Sequence, residues 1–182
     1  MPAEALQEPW KGFLRGLDDL LTGPTELHCF GGFVLAEVYG LTRPTADIDI
    51  FEVRGSTKLT TLRELAGKGS VLAGKYRIYL DLVTIAEVPE DYVDRLVAVF
   101  LNEFRHLRLR AFERHDLALA KLVRNADHDR DDVKRLATGP GLDTTLLRNR
   151  YRDEMRPRLG RPDREDLTLD LWVEMIEELQ QR

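Results

Sequence analysis

Apolar residues recur at helical spacing over residues 6–22, where Trp10, Phe13, Leu14, Leu17, Leu20 and Leu21 share a face, and Gly23-Pro24 closes that segment. The pattern then shortens. Glu26 to Phe30 reads as a first strand, and Gly31-Gly32 as the turn into a helix that carries Phe33, Val34, Ala36 and Val38 and ends at Gly40. After a loop, Asp47 to Val53 alternates with period two, which predicts a second strand with Asp47 and Asp49 on one face. Ser56 is the expected cap of a helix with Leu59, Leu62 and Leu65 inward. Tyr76 to Val83, rich in β-formers, predicts a third strand, and Leu96–Leu101 with His106–Phe112 predicts a hairpin turning near Asn102.

From Arg114 onward the spacing is helical. One helix is expected over His115–Asn125, and a short second one capped by Asp127 or His128. Gly139-Pro140-Gly141 is a break, followed by a helix near Asp143–Met155, a linker with Pro157 and Pro162, and an amphipathic helix over Arg164–Leu179. The fold class is therefore α/β (α+β): a small mixed sheet flanked by helices over residues 1–138, with a C-terminal helical annex over 139–182.

Composition narrows the picture only a little. A hydrophobic share of 43% in 182 residues can build a core, and a net charge of −5 argues against binding nucleic acid through the overall field. The single cysteine, Cys29, excludes a disulfide framework, and no two histidines stand at metal-ligand spacing. No apolar run would span a bilayer and the N-terminus lacks a signal-peptide pattern, so a cytoplasmic protein without membrane contact is expected.

The chemistry lies in the acids. Asp47 and Asp49 on one strand face repel each other unless a divalent cation lies between them, and oxygen donors suit Mg²⁺. Asp81, between Leu80 and Leu82, is a third carboxylate on a strand, and Gly31-Gly32 offers backbone that a phosphate can approach. That combination suits phosphoryl or nucleotidyl transfer.

The ordered set of Gly31-Gly32, Asp47-Ile48-Asp49 and Leu80-Asp81-Leu82 resembles the nucleotidyltransferase superfamily related to DNA polymerase beta. Arg43-Pro44-Thr45-Ala46-Asp47-Ile48-Asp49, and His115 to Lys121 with Arg124 and the acids Asp129 to Asp132, look closest to its small bacterial AbiEii-like branch; the likeness covers roughly residues 26–137. It implies the nucleotidyltransferase fold and a two-metal Mg²⁺ site on Asp47, Asp49 and Asp81, which would also be the catalytic residues. Gly31, Gly32, Arg43, Thr45, Lys121 and Arg124 would contact a nucleoside triphosphate such as ATP. The implied reaction moves a nucleoside monophosphate onto RNA, tRNA or a protein. A toxin–antitoxin or phage-defence role with a cognate antitoxin partner is a family expectation. A non-catalytic nucleotide- or RNA-binding module and an antibiotic-modifying transferase are the competing readings. The arginines of the annex, from Arg148 to Arg164, are a second candidate RNA contact beside their plainer role as a solvated surface.

Overall fold

The period-two segments build one sheet. In a computed structural model that describes residues 6–41, 45–83, 85–138 and 141–181, five strands run in the order β3-β2-β1-β5-β4. They are β1 (Thr25–Phe30), β2 (Asp47–Gly55), β3 (Tyr79–Leu82), β4 (Val97–Val99) and β5 (Leu107–Ala111). β1 pairs antiparallel to β2 and parallel to β5, β2 pairs parallel to β3, and β4 pairs antiparallel to β5. The mixed α/β architecture is the one expected from the pattern, and it agrees with a nucleotidyltransferase fold.

The chain divides into two compact units, residues 1–84 with 96–112 and residues 85–95 with 113–182. This differs from the expected boundary at 138/139. The Gly-Pro-Gly break separates two helices of one unit, whereas the units part where the sheet ends, after Phe112. Gly139 and Pro140 lie outside the described residues.

In the first unit the alternation of each strand buries one face. Leu27 and Cys29 of β1, Ile48 and Ile50 of β2, and Leu107, Leu109 and Ala111 of β5 are all buried. The helices α1 (Trp10–Leu20), α2 (Gly31–Phe33, continued by a π-helical turn over Val34–Val38), α3 (Leu59–Ala66) and α4 (Val71–Tyr76) supply the rest of that core through Phe13, Leu14, Leu17, Phe33, Val34, Leu35 and Leu62. Trp10 meets Phe33 edge-on at 5.1 Å, and Phe13 meets Tyr76 at 6.3 Å. The buried Asp18 ties α1 to the start of β5, its carboxylate accepting the backbone N–H groups of Arg105, His106 and Leu107 at 2.7–2.8 Å.

Three local expectations change. The third strand is shorter than Tyr76–Val83, because Val71–Tyr76 is a helix. Ser70 caps it by accepting from the Ala73 N–H, and Arg77, at φ 56°, ends it in the left-handed region. Ser56 does not cap α3. Its N–H pairs with the Pro24 carbonyl at the end of the β1–β2 ladder, and Lys58 stands at the N-cap without a side-chain hydrogen bond. The helix expected over His115–Asn125 is helical only to Leu119 and continues as turns.

The second unit is helical: a 3₁₀ turn (Tyr92–Arg95), α5 (Arg114–Leu119), α6 (Asp127–Thr138), α7 (Thr144–Arg150, running on as a π turn over Tyr151–Met155 and a 3₁₀ turn over Arg156–Arg158) and α8 (Asp163–Gln180). α8 packs on α6 and α7 through Leu169, Trp172, Val173 and Ile176. The same unit holds an ionic cluster. Asp116, fully buried, accepts from Arg95 at 2.8 and 3.1 Å and from Arg150 at 2.9 Å, and Glu113 accepts from Arg150 and His115. Among the described residues no buried side-chain polar atom lacks a partner, and no helix is long and apolar enough to cross a membrane.

Candidate active site

The register of three strands assembles the site. Phe30 of β1 stands opposite Asp49 of β2, and Asp49 opposite Asp81 of β3, while Asp47 faces Tyr79. Strand periodicity puts Asp47 and Asp49 on one face, and parallel pairing adds Asp81 beside them. One ligand oxygen from each of the three lies within 4.8 Å of the others; Asp47 and Asp49 are half-buried and Asp81 is exposed. Three carboxylates this close repel one another, and an all-oxygen donor set of this size fits a hard divalent cation such as Mg²⁺.

Gly31 is explained by the same geometry. Its φ of +71° is one that side chains rarely adopt, and a Cβ there would stand 1.7 Å from Asp49 Oδ2. The backbone at the start of α2 thus passes directly against the carboxylate. Gly32 is buried beside it.

Both oxygens of Asp47 are engaged by hydroxyls. Thr45 Oγ1 donates to Oδ1 at 2.6 Å, and the Tyr79 phenol reaches Oδ2 at 3.5 Å. Burial and the neighbouring Asp47 and Asp81 push the Tyr79 phenol above its ordinary value, so it stays a protonated donor at neutral pH. Burial, with Asp49 nearby, likewise pushes the Cys29 thiol up, leaving it an unreactive core residue. Lys68 Nζ lies over the Tyr79 ring at 5.8 Å from its centroid.

Of the residues singled out by sequence, Asp47, Asp49, Asp81, Gly31, Gly32 and Thr45 fall together in the first unit. Arg43 lies outside the described residues. Lys121 and Arg124 belong to the second unit. There the Lys121 ammonium is buried, donating to Asp132 at 2.7 Å and Asp129 at 3.3 Å, and Arg124 donates to Asp129 at 2.5 and 2.8 Å. Burial pairs Lys121 with acids of its own unit. Near the start of α6, Asp129 holds Lys121, Arg124 and the Ala126 N–H together, and against the cost of its own burial these partners keep its carboxyl below the ordinary value. Tyr79 was not singled out as a site residue, although its spacing of two from Asp81 on a strand places both on one face.

Residues 20–179 match the family model described as "Nucleotidyltransferase of unknown function (DUF6036)". The chain belongs to that nucleotidyltransferase family. The match covers both units, so the helical second unit is part of the family's shared chain and not an appendage to it. No curated protein and no solved structure matches the sequence.

Proposed function

We propose that the protein transfers a nucleoside monophosphate from a nucleoside triphosphate onto an acceptor hydroxyl, with Asp47, Asp49 and Asp81 holding Mg²⁺. What carries this reading is the convergence of the three carboxylates within 4.8 Å, with the Gly31 backbone lying against Asp49. Bound Mg²⁺ would neutralise the triphosphate and stabilise the entering and leaving oxygens of an in-line displacement.

The chain's own groups do the rest. Gly31, with no side chain, lets its backbone lie directly against Asp49, and phosphate oxygens held at that carboxylate's metal would meet this backbone. Thr45 and Tyr79 fix the rotamer of Asp47 from both sides. Asp81, the exposed member, takes the proton of the acceptor hydroxyl as its oxygen bonds to the α-phosphorus. The bond from the α-phosphorus to the bridging oxygen breaks, and pyrophosphate leaves. Arg43, two residues before Thr45 in the sequence, is a candidate contact for the phosphate tail. Lys121 is assigned to positioning α6 through Asp129 and Asp132. The likeness to the AbiEii-like branch supports RNA, tRNA or a protein as acceptor, and a toxin or phage-defence role with an antitoxin partner.

The test is incubation with each α-³²P-labelled nucleoside triphosphate, Mg²⁺ and total cellular RNA, beside an Asp47→Asn/Asp49→Asn variant. Label should move to RNA or protein with the wild type and fall at least about a hundredfold with the variant. Absence of both transfer and nucleotide binding in the wild type would leave a binding module instead.

A further inference from the structure

The acceptor side of the site has its own chemistry. The Gly31 backbone lies against Asp49 on its β1 side; on the reading above, which brings the triphosphate to that backbone, the acceptor comes from the opposite side, where Asp81 stands on the outer edge strand β3. The segment that leads into this edge strand runs through α3, which packs on β3, and then α4, and it is the reverse of the acidic whole. Between residues 58 and 77 it carries Lys58, Arg63, Lys68, Lys75 and Arg77, with Glu64 as its one acid. All five cations are exposed, and none has a carboxylate partner among the described residues.

Packing binds this segment to the carboxylates. α3 packs on β3, Gly67 bridges to Leu80 next to Asp81, and the adjoining Lys68 sits over the Tyr79 ring, whose hydroxyl reaches Asp47. Most of the annex arginines are already paired with acids; Arg161 and Arg164 alone among them are exposed with no carboxylate partner among the described residues. Arg148 pairs with Asp170, Arg152 with Asp153, Arg156 with Asp166 and Arg158 with Glu87, while Arg150 is held by Glu113 and Asp116.

We propose that the α3–α4 edge is the docking surface for a single-stranded RNA acceptor, its cations meeting phosphates and its outer strand presenting the 3′ hydroxyl to Asp81. This rests on the transfer reading and adds to it the acceptor class and the face that receives it. Exposed cations without carboxylate partners favour a polyanion over a folded protein surface, because each releases a condensed counterion on meeting a phosphate.

The experiment uses the whole chain and a short single-stranded RNA with a 5′ fluorescein and a free 3′ hydroxyl, read by anisotropy across a salt series. Replacing Lys58, Arg63 and Lys68 together by glutamine should weaken binding at least about tenfold and reduce the salt slope by about 2. Affinity for Mg²⁺ and nucleoside triphosphate should stay as in the wild type, which also reports a folded variant. A control that replaces Arg148, Arg152 and Arg158 by glutamine should bind RNA normally. Unchanged RNA binding by the edge variant, or loss with the control instead, overturns the docking surface. Wild-type protein that binds nucleotide but not RNA, or labels only protein, overturns it too and leaves nucleotidyl transfer standing. Wild type that binds RNA but no nucleotide removes the transfer reading and, with it, the acceptor role.

Discussion

Gly31 shows what one residue decides here. Its positive φ and the place where its missing Cβ would fall, against Asp49, make two independent demands for glycine. Gly31→Ala should therefore cost at least about 1–3 kcal/mol and also displace the Asp49 carboxylate. Thermal melts with and without Mg²⁺ test both parts: a lower midpoint with no shift on adding Mg²⁺ is expected, and a variant that melts and responds like wild type would refute the close approach. The glycine was legible as a residue needed for a turn or a phosphate. That it is needed for Asp49 was not, because this contact depends on the β1–β2 register that sets Phe30 opposite Asp49. Tyr79 is the converse case. It read as a strand-forming aromatic, and only its pairing opposite Asp47 makes it part of the site.

Among the elements, α5 and α6 are joined by charge. Lys121 follows α5 and is buried with Asp129 and Asp132 of α6, both buried as well. Removing the ammonium leaves two carboxylates without it in a dry setting, so Lys121→Ala should destabilise by about 3–5 kcal/mol, with Lys121→Arg recovering part of that. Urea denaturation measures it. A variant as stable as wild type but weaker for nucleoside triphosphate would instead return Lys121 to the phosphate-binding role that its family resemblance implies. The helical spacing of Lys121 and Arg124 was plain in the sequence, but a helix face says nothing of whether water or carboxylates lie over it. Likewise α4 was missed: residues 71–75 carried no expected element, and its last residue, Tyr76, was given to the strand expected over Tyr76–Val83. Ser70 as cap and Arg77 in the left-handed region set its true limits.

For the molecule as a whole, each compact unit contains a carboxylate that folding holds ionised. In the first, burial would raise Asp18, but the N–H groups of Arg105, Leu107 and His106 bring it below its ordinary 3.8. In the second, burial opposes the pull of His115 and Arg150 on Glu113, and the carboxyl falls from 4.5 to about 2. Both folded values are depressed, so their stabilisation is complete above the ordinary carboxylate range and is lost as pH falls through the folded values. Urea midpoints should hold near neutral pH and decline from about pH 4.5 towards pH 2, less steeply in Glu113→Gln; a flat wild-type profile would contradict this. The sequence by itself determined the strands, most of the helices and the three acids, because periodicity and capping act over a few residues and are written locally. It placed the main break at Gly139-Pro140-Gly141, yet the units part elsewhere, because a unit's limits depend on which segments share a core. Tertiary structure alone decided that Asp81 stands opposite Asp49, that Gly31 lies against that carboxylate, and that Lys121 is sealed among acids. Each depends on strand register or helix packing between residues distant in the chain, where local pattern has no reach.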